Sequence, residues 1–251
     1  MILLSAVIIT YNEERNIARC LQSLQGVADD ILVLDSYSTD RTAAISRQFG
    51  ARVIEHTFGG HIQQKNLAIT FAKYNYVLSL DADEALSDEL RKSILMVKNH
   101  FDADGYTMNR LTNYCGKWIK HCGWYPDTKL RLWKSTEGQW GGVNPHDKFI
   151  MYSPDARVMH LKGDLLHYSY YTITEHHRQM ERYSSIAAQA LFEKGEKSNR
   201  LKIVYKTLAK FIRNYFVKLG FLDGRFGWII CKNTAAETHM KYTKLMKLWQ
   251  S

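Results

Sequence analysis

The sequence predicts an α/β protein built on a doubly wound sheet, followed by a basic helical extension. Three observations carry this. Four short apolar runs alternate with helix-forming segments over residues 3–100. The second and fourth runs each end in an acid, Asp35 and Asp81. Positive charge collects in the last 55 residues.

Residues 3–10 (LLSAVIIT) form a continuous apolar, β-branched run, the pattern of a parallel strand covered on both faces. Asn12 is expected to cap a helix running to about Gln25, with Glu13 and Glu14 in its first turn and Gly26 as its stop. The run Ile31-Leu32-Val33-Leu34 is a second strand, ending in Asp35-Ser36, and a helix over residues 39–49 then closes at Gly50. Residues 52–55 form a third strand before a loop with Gly59-Gly60. A helix over residues 62–73 leads to the fourth strand, 76–80, which ends in Asp81-Ala82-Asp83. Ser87 caps the next helix, with Asp88 and Glu89 in its first turn. Strand–helix alternation with short connections implies a parallel sheet, and ligands of such sheets sit beyond the carboxyl ends of the strands. Tyr11, Asp35 and the Asp81–Asp83 cluster all fall at that edge.

From about Gly105 to Tyr170 short strands and turns rich in Trp, Tyr and Gly suggest a mixed-sheet half. Thr172-Ile173-Thr174-Glu175 has capping-box form and opens a helix to about Lys194, stopped by Gly195. Apolar residues at helical spacing over residues 201–219, interleaved with Lys202, Lys206, Lys210 and Arg213, read as one basic amphipathic helix. The expected organisation is a domain over residues 1–170, with a nucleotide-binding half (1–100) and an acceptor half (101–170), then a helical extension over 171–251.

The 251 residues are 45% hydrophobic and 24% charged, a globular composition, with three prolines and no internal repeat. The apolar amino terminus lacks a basic flank and runs into Tyr11-Asn12-Glu13-Glu14, so it reads as a buried strand and not as a signal peptide. No stretch of 18 uncharged apolar residues marks a membrane span. Four irregularly spaced cysteines fit reduced thiols better than a zinc site. The formal charge is +9, yet residues 197–251 carry twelve Lys/Arg against two acids and residues 1–196 are nearly neutral. That asymmetry disfavours a nucleic-acid-binding protein, whose basic surface would belong to a recognised motif. A sugar-nucleotide nucleotidyltransferase is the enzyme alternative. It needs a Gly-rich basic loop near the first strand, where this chain has acids.

Two acids one residue apart at a strand end can hold a hard cation while leaving positions for phosphate oxygens; a solvated turn is the plainer alternative. The segments Thr10-Tyr11-Asn12-Glu13-Glu14, Asp35-Ser36-Tyr37-Ser38-Thr39-Asp40-Arg41-Thr42, Gln64-Lys65-Asn66 and Leu80-Asp81-Ala82-Asp83-Glu84 resemble those of family 2 glycosyltransferases. Within that family the chain is similar to small bacterial enzymes of lipopolysaccharide-core synthesis, through Trp124-Tyr125-Pro126-Asp127, Arg131-Leu132-Trp133, His146-Asp147 and His167-Tyr168-Ser169-Tyr170.

The resemblance implies a GT-A (Rossmann-like) doubly wound mixed sheet with a C-terminal helical extension. It also implies an inverting, metal-dependent hexosyltransferase using a nucleotide-diphospho-sugar, UDP being the commonest carrier. By it, Thr10, Tyr11, Glu13, Asp35, Gln64, Lys65, Asp81 and Ala82 form the nucleotide-sugar site. In that set Tyr11 flanks the base, Asp35 binds the nucleoside and Lys65 or Gln64 contacts the nucleotide. Asp81 approaches the ribose and the metal (Mn²⁺ or Mg²⁺), and Asp83 is the direct ligand. His167 is either a further ligand or a hydrogen-bonded strand histidine, and Arg131 either holds the diphosphate or an anionic acceptor or faces solvent. Inversion needs a base on the acceptor hydroxyl. Asp147 is the expected one, with Asp127 in reserve. Trp118, Trp124, Trp133 and Trp140 are each a sugar-stacking face or core. The basic extension suits an anionic membrane surface, its own domain or a second copy. The expected setting is cytoplasmic, peripheral on the inner face of the cytoplasmic membrane, with a lipid-linked or lipopolysaccharide-core acceptor and no nucleic acid.

Overall fold

The computed structural model describes residues 1–143 and 146–250, without the side chains of Val143 and His146. Its elements are β1 (Leu4–Thr10), α1 (Ile17–Leu24), β2 (Asp30–Asp35), α2 (Thr42–Gln48), β3 (Arg52–Glu55), α3 (His61–Thr70), β4 (Tyr76–Asp81), β5 (Glu84–Leu86), α4 (Asp88–Asn99), β6 (Gly105–Tyr114) and β7 (Lys117–Ile119). Next come β8 (Asp127–Lys134), β9 (Gly138–Val143), β10 (His146–Met151), β11 (Val158–Tyr170), α5 (Ile173–Glu193), α6 (Arg200–Ile212) and, after a π turn (Arg213–Val217) and a 3-10 turn (Gly220–Asp223), α7 (Gly224–Leu248). The main sheet has the order β3-β2-β1-β4-β8-β6-β11-β5, with β7 on β6, and β9 and β10 make a separate ribbon.

β3, β2, β1 and β4 are mutually parallel, whereas β8 joins β4 antiparallel. The expected parallel half and mixed half are thus joined at the β4–β8 seam. β1 is central and buried on both faces: Leu4, Ala6 and Ile8 pack with Ile17, Leu21 and Leu24 of α1, and Val7 packs on the other side with Ala68 of α3, Trp133 and Trp140. A strand covered twice needs no polar alternation, which is why its sequence is a continuous apolar run.

Three helix expectations change. Asn12 is not a cap. It sits at φ +54°, a conformation Asn tolerates, and its Oδ1 accepts from Thr39 N at 2.8 Å, so the chain turns until Asn16 and α1 begins at Ile17. α3 ends at Thr70, short of 73, because Lys73 N donates to Asp30 and Tyr74 N to Ser5 Oγ, which turn the chain into β4. The single helix expected over 201–219 stops at Ile212, continues as the π turn and breaks at Leu219, φ +52°. Gly220 and Gly227 explain the break, since a Cβ on Gly227 would lie 1.8 Å from the Gly220 carbonyl oxygen. The Ser87 cap and the Thr172–Glu175 capping box form as expected.

The chain forms two compact units, Met1–Arg110 with Asp127–Tyr168, and Leu111–Pro126 with Ser169–Ser251. In the second unit, Tyr114, Ile119, Cys122, Ile230 and Cys231 form a core closed by Trp124, Tyr170 and Phe211.

Candidate active site

Parallel strands deliver the chemistry to one edge. After β1 and β2, residues 10–14 and 35–42 are laced together: Asn12 N donates to Ser38 Oγ, Glu13 N to Thr42 Oγ1, Glu14 N to Asp40, and Arg41 N to Glu14. Buried Asp35 accepts from Ser38 N at 2.8 Å and from Ser38 Oγ at 2.5 Å, so it shapes this turn from below. Tyr11 is 58% exposed at the lip, while Thr10 is buried and its hydroxyl has no partner among the described residues. Burial and the neighbouring Asp83, Asp40 and Asp81 charges push the Glu13 carboxyl up to about 7, against the hydrogen bond from Asn16.

The Gln64-Lys65-Asn66 triplet on α3 splits into three tasks. Gln64 is buried and donates to Ser36 Oγ and the His56 carbonyl, bracing the β2 and β3 ends. Asn66 clamps β9 with two amide hydrogen bonds to the Trp140 backbone, both 2.9 Å. Lys65, 4% exposed, reaches the site between two carboxylates, Asp81 Oδ1 at 2.9 Å and Asp147 Oδ2 at 2.8 Å.

From Lys65 an unbroken line of ion pairs crosses the sheet. Asp81 Oδ2 meets Arg131 at 3.0 Å, Arg131 meets Glu84 at 2.7 Å, and Glu84 meets Arg110 at 3.4 Å. Arg110 meets Asp127 at 2.7 Å, and Asp127 meets Lys129 at 2.9 Å. Buried charges persist only when paired, and here the four acids and four cations balance. The Asp81 carboxyl, which burial would raise, is held well below the carboxylate range by Lys65 and Arg131. Arg131 faces inward, 2% exposed, and its Nε and Nη1 lack partners among the described residues. The two expected bases stand at opposite ends of the line. Both Asp127 oxygens are taken, by Arg110 and Lys129, and against burial those charges hold its carboxyl low. Asp147 uses only Oδ2 among the described residues.

Asp83 stands beside this line, with Oδ2 3.1 Å from His167 Nε2. Against burial, the Asp83 charge raises the His167 pKa. Ala82 is buried core between the two acids. No cluster of three or more His, Cys, Asp or Glu with metal-binding geometry occurs among the described residues. Asp83 and His167 alone fit the donor pair of a divalent ion, since two ligands about 2.1 Å from one centre lie roughly 3 Å apart.

Glu84 and Arg110 carry no role from sequence alone. Glu84 is fully buried and also accepts from the Asp81 backbone N at 2.9 Å, which fixes the turn bearing Asp81 and Asp83. Its place directly after Asp81-Ala82-Asp83 was the available signal; for Arg110, on β6, there was none. Trp133 and Trp140 are core: Trp133 stacks on Phe149 at 3.7 Å and both tryptophans are almost fully buried. Asn144 and Pro145, which precede Asp147, lie outside the described residues.

Residues 5–155 match the family model described as glycosyl transferase family 2, a span that holds the whole ion-pair line from Asp147 to Lys129 and Asp83, but not His167. The chain belongs to glycosyl transferase family 2. Its mixed, doubly wound sheet with C-terminal helices is the GT-A arrangement. Similar curated proteins include an uncharacterized glycosyltransferase of Rickettsia typhi, 28% identical over 98% of this chain and 87% of that one. Another is the lipopolysaccharide core biosynthesis glycosyltransferase LpsC of Rhizobium meliloti, 26% identical over 95% and 93%. Among solved structures, S. aureus TarS 1–349 is 13% identical over 99% and 91% of the two chains, with a TM-score of 0.47. No helix among the described residues is long and apolar enough to cross a membrane.

Proposed function

We propose that this family 2 glycosyltransferase transfers a hexose such as glucose, with inversion, from a UDP-sugar to a lipopolysaccharide-core or related glycan. The ion-pair line at the carboxyl edge of the parallel strands carries the reading, and the full-length similarity to LpsC supports the acceptor class. Tyr11 faces the nucleoside in this reading, with Asp35 bracing the turn beneath it through Ser38 and with Thr10, Glu13 and Gln64 shaping the pocket. Lys65 and Arg131, the latter with two unused nitrogens, meet the diphosphate. Asp83 and His167 would hold a divalent cation, Mn²⁺ or Mg²⁺, with Asp81 as a further oxygen donor. When bound, such a cation offsets the charge on the departing diphosphate.

Asp147 takes the proton from the acceptor hydroxyl as that oxygen bonds to the anomeric carbon and the bond to the diphosphate breaks. Lys65 anchors Asp147 Oδ2 and leaves Oδ1 for the hydroxyl. Asp127, with both oxygens engaged, serves as a structural carboxylate. The exposed apolar face of α6 and its basic flank are assigned to the anionic inner surface of the cytoplasmic membrane, where the lipid-linked acceptor would be met.

Calorimetry of UDP binding tests the donor site. We expect affinity to be at least about tenfold higher with Mn²⁺ than with EDTA, and Asp83→Ala to remove that difference while the protein stays folded. Equal affinity in both buffers removes the metal from the reading.

A further inference from the structure

The second unit contains a cleft of about 400 Å³ between the turn at Cys122-Gly123-Trp124-Tyr125-Pro126 and one face of α6 with its π turn. Its walls are fixed to each other, because Cys122 N donates to the Lys218 carbonyl at 3.1 Å. Lys210, Arg213 and Lys218 line it and no acid does. None of the three has an ion-pair partner among the described residues. Nearby Lys241 is held below its ordinary value chiefly by burial, with Glu237 opposing and the Lys210 and Lys206 charges adding smaller effects.

Asn214 lies between these cations. It is 5% exposed, and its side-chain amide makes no hydrogen bond among the described residues although it borders the cleft. The opposite wall is aromatic: half-buried Trp124, held by Tyr114 and Tyr170 with ring centroids 5.8 and 5.9 Å away, and beside it Tyr125. Cations for an oxyanion, an amide for a hydroxyl and a flat apolar wall for a ring match one class of ligand.

We infer that this cleft binds an oxyanion-bearing sugar, phosphorylated or carboxylated, belonging to the glycan acceptor. The word acceptor rests on the proposed function; the sugar site does not. A lipid headgroup offers the same phosphate. However, Lys210 lies nearly half a turn around α6 from the exposed apolar residues Leu208 and Ile212, away from the face that suits a bilayer.

Titration calorimetry of the full chain with glucose 6-phosphate, glucose and inorganic phosphate at fixed ionic strength provides the test. Glucose 6-phosphate is expected to bind at least about tenfold more tightly than either simpler probe. The double variant Arg213→Gln/Lys218→Gln, at two exposed positions, is expected to lose about tenfold or more in that affinity while UDP binding with Mn²⁺ is unchanged. Equal binding of phosphate and glucose 6-phosphate overturns the sugar assignment. Undiminished binding by the folded double variant removes the site from this cleft. Displacement of glucose 6-phosphate by phosphatidylglycerol vesicles assigns the cleft to a headgroup and overturns the inference. Because UDP binding is read in the same samples, failure of the donor site is seen separately.

Discussion

Lys65 holds two carboxylates within 2.9 Å in a nearly water-free position, and the chemistry assigned to Asp147 depends on that contact. Asp147→Asn should keep UDP affinity within a few-fold and lower transfer by about 10²- to 10⁴-fold, the usual contribution of a positioned base. Asp127→Asn should cost far less turnover, since both its oxygens are already committed to Arg110 and Lys129. Turnover at saturating donor, with UDP affinity measured in parallel, decides between them; a dead Asp127→Asn enzyme beside an active Asp147→Asn moves the base to the other end of the line. Glu84 presents a different case. Glu84→Gln leaves buried Arg131 and part-buried Arg110 beside a neutral amide, so the protein should lose about 2–4 kcal/mol of stability. Asp83→Ala, with the Asp83 side chain a quarter exposed, should cost much less. Urea unfolding of the two variants provides the comparison, and equal losses would contradict the buried-pair argument.

Among the elements, α5 and α7 meet around a histidine that must stay neutral. His176 Nδ1 lies 2.9 Å from the Tyr114 hydroxyl and 3.1 Å from the Asn233 amide nitrogen, which donates to it. Burial, then the adjacent His177 charge, lowers its pKa to about 4. Between about pH 6.5 and 4 the unfolded chain therefore binds the proton that the folded chain refuses. Stability contributed by neutral His176 is complete above that window and is lost as pH falls through it. The slope approaches 1.4 kcal/mol per pH unit, so wild type should lose about 1–2 kcal/mol between pH 6.5 and 5 from this group. His176→Gln retains an acceptor without a proton to gain, and its urea midpoint should change less over the same interval. Parallel pH profiles for the two proteins would assign the slope elsewhere.

For the whole molecule, charge and apolar surface are partitioned between the two units. Leu201, Tyr205, Leu208 and Ile212 recur at three- and four-residue spacing on α6, and each is more than half exposed. A continuous apolar stripe of this kind on an exposed surface marks an interaction site, and the adjoining Lys202 and Lys206 give it the sign an anionic bilayer would complement. Replacing Tyr205 and Leu208 by Glu should reduce co-sedimentation with phosphatidylglycerol vesicles by at least about tenfold at low salt, with weaker binding of wild type as salt rises. Undiminished sedimentation of the folded variant would locate the membrane surface elsewhere or remove it.

The sequence by itself determined whatever depends on local order. The doubly covered β1 was legible because burial on both faces demands a continuous apolar run, and the Ser87 and Thr172 caps because a cap needs only its own next three residues. The gathering of Asp35 and the Asp81–Asp83 pair at one sheet edge was legible because parallel strands end on the same side. The tertiary structure decided pairings between distant residues: Lys65 with Asp147, 82 positions apart, and Arg131 with Glu84, 47 apart. It also turned Arg131 inward, made Trp133 and Trp140 core, and broke the 201–219 helix where Gly220 and Gly227 touch. An isolated Arg or Trp carries no local signal of which face it will occupy. That choice is made by the energy of pairing a buried charge or filling a buried volume, and both exist only once the chain has closed on itself.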